Sequence, residues 1–213
     1  MKSFHKAMIL SAALAPAAAA NADTSFNVGW MSEYIFRGIP QSDSSAFAGV
    51  DYTNGGFYAG TWAADVGQGL ETDLYLGYGG EAGDFTYSVG YTGYFYTDDF
   101  DDTYNEINLG VGYGMFSVDA AFGTYDNFDG PTLDYNFVSM KFERDGFYLL
   151  GGAFGNDFEG EYFESGYGFS FGRFDVGVSY VHSTADLIGD DDNALIFTLS
   201  TSFDSVGSGG ADE

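Results

Sequence analysis

The sequence predicts an all-β protein: a closed transmembrane antiparallel β-barrel of about 12 strands, with short turns at one end and longer loops at the other. Three observations support this fold. Apolar and polar residues alternate with a period of two, short and long connections alternate along the chain, and aromatic residues flank every short turn. Helices are disfavoured because no long stretch past residue 25 has a 3.6-residue apolar repeat, and the chain contains 32 glycines.

The N-terminal residues have the order of a cleavable export signal. Lys2 and Lys6 precede an apolar run that ends in Ala20-Asn21-Ala22, which gives the charged, apolar and small-residue regions of such a signal. Pro16 interrupts the run, which is too short to cross a bilayer as a helix; a retained amphipathic helix is the alternative. We therefore expect three segments: a signal peptide at residues 1–22, a barrel at residues 23–203 and a flexible acidic tail at residues 204–213.

The composition excludes several kinds of partner and site. Without the export signal, four basic residues stand against 32 acidic ones, and nucleic acid is excluded as a partner because phosphate binding needs clustered Lys and Arg. Aromatic residues make up 19% of the chain, which argues against a disordered acidic protein. There is no cysteine, so neither a disulfide nor a thiolate metal site is available. No zinc, phosphate-loop or EF-hand pattern predicts a metal or a cofactor.

Period-two alternation marks the strands in order. The first strand carries Phe26, Val28 and Trp30 on one face and is expected to continue to Arg37. Turn chemistry sets other bounds, because Asn54-Gly55 and Asp145-Gly146 are pairs that tight hairpins prefer. The predicted strands cover residues 25–37, 46–53, 57–64, 71–79, 85–96, 104–113, 116–124, 133–142, 147–154, 161–171, 174–182 and 194–203.

The connections between these strands are of two kinds. Short turns are predicted at residues 53–56, 79–84, 114–115, 143–146 and 172–173. Longer polar loops are predicted at residues 38–45, 65–70, 97–103, 125–132, 155–160 and 183–193. Bacterial outer-membrane barrels sort their connections in this way, with the short turns on the periplasmic side. We therefore expect the outer membrane of a Gram-negative bacterium, reached through a Sec-type signal.

An aromatic pair flanks each short turn. The ten residues of this predicted belt are Tyr52, Phe57, Tyr78, Phe85, Tyr113, Phe116, Phe142, Phe147, Phe171 and Phe174. Rings along one edge are typical of a membrane interface; cross-strand packing in a soluble sheet is the alternative. The belt also sets the side-chain parity. It places Tyr34 and Phe36 of the first strand toward lipid, and it turns Asn136 outward as well unless a bulge intervenes.

The opposite parity is rich in carboxylates. The predicted pore-lining residues are Glu33, Arg37, Asp51, Glu71, Asp73, Glu106, Asp119, Glu164 and Asp175. Twelve tilted strands enclose a lumen of roughly 10 Å or less, and acidic walls in such a lumen attract cations. Two alternatives stay open: the carboxylates are only the polar face that every barrel needs, and Arg37 is a brace across the barrel.

Three stretches carry a resemblance to a known family. They are SFNVGWMSEYIFRGIPQSD (residues 25–43), GFYAGTWAADV (residues 56–66) and ETDLYLGYGGEAGDFTYSVGY (residues 71–91). Together they resemble the TorF-type porins of Gram-negative bacteria, which implies an outer-membrane barrel of the porin type without specifying a solute. One departure is that Phe203 is followed by ten residues, whereas similar chains end at a terminal aromatic residue.

The function expected from these features is a passive channel for ions and small hydrophilic solutes that prefers cations. The expected partners are outer-membrane lipid, those solutes and the barrel-assembly machinery. A lipid hydrolase is one alternative, but His182 and its neighbour Ser183 point to opposite faces of a strand, which counts against a catalytic pair. A non-conducting structural or surface-interaction barrel with a blocked lumen is the other alternative.

Overall fold

A computed structural model describes residues 22–204, which form a closed barrel of 12 antiparallel strands. The predicted signal peptide and acidic tail lie outside the described residues, apart from Ala22 and Asp204. The wall strands are β1 (Asp23–Met31), β4 (Ser45–Asn54), β5 (Phe57–Asp65), β6 (Leu70–Ala82), β7 (Phe85–Tyr96), β8 (Tyr104–Tyr113), β9 (Phe116–Tyr125), β10 (Leu133–Arg144), β11 (Phe147–Asn156), β12 (Glu161–Phe171), β13 (Phe174–Ser183) and β14 (Asp192–Asp204).

Each wall strand pairs with its neighbours in the chain, and β1 closes the ring by pairing with both β4 and β14. Closure leaves no edge strand in the wall, so every wall strand has a hydrogen-bonding partner on both sides. The short turns and both ends of the described chain lie at one end of the barrel, which we call the turn end; the opposite end is the loop end. Within residues 22–204, no helix has the length and apolarity that crossing a membrane requires.

The predicted strands match the wall closely, with three differences. The strand predicted at 71–79 continues to Ala82, so its turn is only Gly83-Asp84. The loop predicted at 183–193 contains the one-turn helix α1 (Ala185–Ile188). The strand predicted at 25–37 is wrong in its second half, because β1 ends at Met31.

The chain leaves the wall after β1 and folds into the barrel. Residues 34–42 form β2 (Tyr34–Phe36), a turn at Arg37-Gly38 and β3 (Ile39–Ser42), and we call this segment the lumen hairpin. Its two strands pair only with each other and make a sheet separate from the wall. Tyr34 and Phe36, predicted to face outward, therefore lie inside the barrel, and that prediction is wrong.

The outward face of the wall is apolar. On β8, for example, Ile107, Leu109, Val111 and Tyr113 are all exposed. Glu106, on the opposite face of the same strand, is buried inside the barrel. The register of β10 with β9 and β11 runs without a bulge, so Asn136 does share the outward face of Val138 and Met140. The predicted belt residues lie along the turn end, where pairs such as Phe85 with Tyr113 and Phe116 with Phe142 are in ring contact at 4.7 and 5.3 Å.

The interior differs between the two halves of the barrel. Most of the buried side chains lie toward the loop end, including Met31, Phe47, Trp62 and Phe137, and these pack around the lumen hairpin. Toward the turn end the inward positions are mostly small or polar, as in the run Thr86, Ser88, Gly90 on β7 and the run Asp175, Gly177, Ser179 on β13. The barrel is thus packed in its loop-end half and lined by small and polar groups in the other half.

Candidate functional site in the barrel lumen

The candidate site is the place where the lumen hairpin meets the barrel wall. Its turn places Arg37 at the hairpin tip, with a φ of 50°, followed by Gly38 with a φ of 83°. Positive φ is costly for most residues and free for glycine. A Cβ at Gly38 would also lie 2.5 Å from Cβ of Tyr162, so the chain needs glycine here for both reasons.

Arg37 forms a two-point ion pair with Glu106 of β8. Nη1 of Arg37 lies 2.5 Å from Oε1 of Glu106, and Nη2 lies 3.0 Å from Oε2. The guanidinium carbon is 4.4 Å from the ring centre of Phe137 and 4.8 Å from that of Phe36. Paired N–H donors on one carboxylate, with aromatic faces beside the cation, are the strong form of this interaction.

The carboxylate of Glu106 is also held by the wall itself. The hydroxyl of Tyr135 donates to Oε1 at 2.8 Å, while the hydroxyl of Tyr94 and the amide of Asn108 donate to Oε2 at 3.1 and 2.9 Å. Only 2% of Glu106 is exposed. A charge buried this deeply needs a cation and several donors to offset its lost hydration, and the arrangement supplies both.

Further contacts fix the two sides of the lumen hairpin. Tyr34, 2% exposed, donates its hydroxyl to Oε1 of Glu71 at 2.6 Å and packs edge-on against Trp62. On the other side, the hydroxyl of Ser183 donates to the carbonyl oxygen of Gly38 at 2.6 Å. These wall residues belong to β5, β6 and β13, which lie around different parts of the ring. The hairpin therefore crosses the lumen and contacts the wall on both sides.

An aromatic cluster covers the lumen beyond the hairpin. Tyr104 stacks on Tyr125 at 4.4 Å, and Tyr135 stacks on Phe158 at 5.0 Å. The hydroxyls of Tyr104 and Tyr125 both donate to the carboxylate of Asp101, at 2.9 and 2.8 Å. These rings are not among the predicted pore-lining residues, although the parity set by the belt places Tyr135 and Phe137 on the inward face.

The predicted pore-lining residues occupy three kinds of place. Arg37, Glu71 and Glu106 take part in the hairpin contacts, and Asp73 lies beside Glu71 on the inward face of β6; its Oδ1 has no hydrogen-bond partner among residues 22–204. The remaining predicted residues on wall strands lie in the middle of the barrel or toward its turn end: Asp51, Asp119, Glu164 and Asp175.

Glu33 is placed differently from the prediction, because it lies in the bend between β1 and β2 and not on a wall strand. Burial, together with the nearby carboxylates of Asp192 and Asp43, raises the pKa of Glu33. It belongs to the acidic surroundings of the loop end.

The polar groups of the turn-end half pair mostly with neighbours on the wall. Asp51 accepts from the hydroxyl of Tyr75 at 2.5 Å, and Glu164 accepts from that of Tyr148. Lys141 lies 2.6 Å from Glu143, so this base is offset by its own strand. A pocket of about 40 Å³ beside Arg37, lined in part by Asn108 and Asp119, has room for water.

His182 and Ser183, the pair considered for lipid hydrolysis, do not contact each other. His182 Nδ1 lies 3.0 Å from Oδ1 of Asn193, while the hydroxyl of Ser183 points inward to Gly38. The two side chains thus face opposite sides of β13, as strand parity predicts. Within residues 22–204, no group of three or more His, Asp or Glu side chains is arranged to hold a metal ion.

Solved structures share features of this barrel fold. One structure, from work on the in-meso crystallization of membrane proteins, aligns with a TM-score of 0.59 and 10% identity over 87% of this chain and 85% of that chain. Two longer Pseudomonas aeruginosa proteins align less well. OccK2 (OpdF) in complex with glucuronate has a TM-score of 0.41 and 13% identity, and OprD has 0.41 and 12%; each alignment covers 86% of this chain and 67% of the other.

Comparison of sequences gives a family. No curated protein matches the chain. A family model described as "Bacterial protein of unknown function (Gcw_chp)" matches residues 15–184. That description differs from the TorF-type porins, so the resemblance to them stays a prediction. The match covers most of the chain, including the lumen hairpin and the wall strands from β1 to β13, and the chain therefore belongs to the Gcw_chp family.

Proposed function

We propose that this protein is an outer-membrane channel of the porin type for small hydrophilic solutes, with a preference for cations, and that the lumen hairpin closes it in the conformation described above. The observation that carries the proposal is the closed ring of 12 strands with an apolar outward face and the wall carboxylates on the inward face. A soluble protein of this size would bury such an apolar surface, whereas a barrel in lipid exposes it.

The height of the apolar face suits a bilayer. Most wall strands have about ten residues, and at roughly 3.3 Å per residue and 45° tilt they rise roughly 23 Å, close to the apolar band of outer-membrane barrels. The belt rings at the turn end lie where interfacial aromatic residues are found. Closure also satisfies the backbone groups that lipid cannot hydrogen-bond.

The preference for cations follows from the charges that remain inside. Arg37 is offset by Glu106 and Lys141 by Glu143, while Asp51, Asp119 and Asp175 have no basic residue in an ion pair with them among residues 22–204. The lumen is therefore negative once its paired charges cancel. In a narrow aqueous path this favours cations over anions.

Recording purified protein in planar bilayers tests the channel. We expect discrete conductance steps with a reversal potential that shows cation preference. The double substitution Asp119→Asn with Asp175→Asn should lower the ratio of cation to anion permeability by about fivefold for each carboxylate, since one charge at about 8 Å in water attracts a cation and repels an anion by ~0.5 kcal/mol each. Asp98→Asn, on an exposed loop, is the matched control and should leave the ratio unchanged. An unaltered reversal potential in the double variant would remove the proposed role of these carboxylates.

A non-conducting surface barrel is the second candidate, because the hairpin and the aromatic cluster fill the loop-end half of the lumen. Deleting residues 34–42 and joining the wall with a short Gly-Ser linker separates the two functions. A channel should gain conductance when the lumen hairpin is removed. A barrel that shows no conductance either with or without the hairpin is a structural or surface-interaction protein.

A further inference from the structure

The position of the lumen hairpin depends on side-chain contacts and not on the wall sheet. Its strands have only three and four residues and pair with nothing but each other, and an isolated two-stranded hairpin is marginally stable at best. Two-residue bends, at residues 32–33 and 43–44, join it to β1 and β4. The ion pair at its tip therefore holds the closed position together with the hydrogen bonds of Tyr34 and Gly38 and apolar packing.

The pocket that receives Arg37 is built by the wall alone. Glu106 lies on β8, and its three other donors, Tyr94, Asn108 and Tyr135, lie on β7, β8 and β10. Phe137 of β10 supplies the aromatic face at 4.4 Å. None of these groups moves with the hairpin, so a preorganised anionic pocket remains when the hairpin leaves.

The shape of this pocket matches a guanidinium group. Each oxygen of Glu106 faces a different nitrogen of Arg37, at 2.5 and 3.0 Å, and the planar cation lies over an aromatic ring. A guanidinium can donate through two parallel N–H groups while its face contacts a ring, whereas an ammonium is a compact point charge that cannot do both in this geometry. Arg37 thus occupies the wall pocket as a ligand would.

We propose that the Glu106 pocket is a binding site for solutes that carry a guanidinium group, and that Arg37 occupies it as a tethered internal ligand which such solutes displace. The inference rests on the proposed channel function, for which it names a solute class. A free guanidinium binds only after Arg37 has left, and any ligand that binds one of two states shifts the balance toward that state. Solute binding and displacement of the hairpin are therefore coupled.

Chemical rescue of Arg37→Ala tests the pocket without relying on conductance. Ala removes the atoms that ethylguanidinium would restore, and ethylurea is a neutral probe of nearly the same shape. With the full chain in detergent micelles, isothermal calorimetry should show that ethylguanidinium binds Arg37→Ala at least about tenfold more tightly than wild type, because a tethered competitor acts at a millimolar or higher effective concentration. Ethylurea should give no binding, and ethylammonium should bind more weakly than ethylguanidinium.

The double variant Arg37→Ala with Glu106→Gln is the matched control, and it should lose the binding. Arg37→Gln, which keeps more of the side-chain volume, replaces Arg37→Ala if the smaller residue does not fold. Equal binding of ethylurea and ethylguanidinium, equal binding to wild type and variant, or binding that survives Glu106→Gln would each overturn the proposal.

A bilayer measurement then separates this inference from the channel function. In wild type, ethylguanidinium added to a conducting protein should raise the open fraction, while ethylurea should not. A protein that conducts but shows no selective calorimetric binding retains the proposed function and rejects the guanidinium site. One that binds ethylguanidinium selectively but never conducts retains the site and rejects the channel.

Discussion

Replacing Glu106 with Gln should convert a mostly closed channel into a mostly open one. Glu106 is 2% exposed and its carboxylate takes both terminal nitrogens of Arg37. Removing one partner of a buried ion pair costs about 3–5 kcal/mol because the other charge is left buried without compensation. That loss destabilises the docked position of the hairpin, so the ratio of closed to open channels should drop by a factor of about 10² to 10⁴. The open fraction in single-channel recordings measures this ratio.

Glu164→Gln is the control for this experiment. Glu164 is an inward carboxylate of the same kind on β12, but its partner is Tyr148 of the wall and not the lumen hairpin. The Glu164→Gln variant should therefore have an open fraction near that of wild type, although it also removes one negative charge from the lumen. Equal opening in the two variants would mean that loss of lumen charge, and not release of Arg37, opens the channel.

Placing arginine in the middle of the outward face should strongly destabilise the barrel in lipid. Leu109 lies at the centre of β8 and is 44% exposed, whereas Tyr113 lies at the turn end of the same face and is 54% exposed. Arg at the bilayer midplane costs about 2–4 kcal/mol, and near the interface about 0–1 kcal/mol. Leu109→Arg should therefore lower the free energy of unfolding far more than Tyr113→Arg, measured by urea titration of protein folded into phospholipid vesicles.

This pair of variants distinguishes a lipid-facing wall from a solvent-facing one. In water both positions are similarly exposed, and a surface Arg has little effect on stability at either. If the two substitutions cost the same, the outward rings do not face lipid, and the proposed membrane location fails along with the channel.

The wall could be predicted closely from the sequence because its signals are local. Asn54-Gly55 and Asp145-Gly146 mark tight turns, and aromatic residues mark the strand ends beside them. Alternation then assigns each side chain to a face, as on β8, where every second residue is apolar and exposed. Each of these features depends on residues close together in the chain.

The lumen hairpin could not be predicted in the same way, because its alternation continues that of β1. Tyr34 and Phe36 fall on the parity of Trp30, and period two is the same in a wall strand and in a hairpin that has left the wall. Two signals were present: a predicted strand longer than the others, and Arg37-Gly38 followed by Pro40, which cannot donate to a sheet. They indicate an interruption but not the direction of the chain after it.

The contacts of the candidate site depend on closure of the ring. Arg37 and Glu106 are 69 residues apart in sequence, and Ser183 and Gly38 are 145 apart. Parity predicted that Arg37 and Glu106 both face the interior. It did not predict that they meet, because the path of the hairpin across the lumen decides which inward groups come together.

The pairing of β1 with β14 sets an order of assembly. Phe26 stacks on Phe203 at 5.7 Å across this seam, which joins the first and last strands. Until the C-terminal strand arrives, the interior is an open trough, and the segment near the N-terminus that finally fills it has no enclosed space to occupy. We therefore expect the lumen hairpin to reach its buried position only after the seam between β1 and β14 has closed.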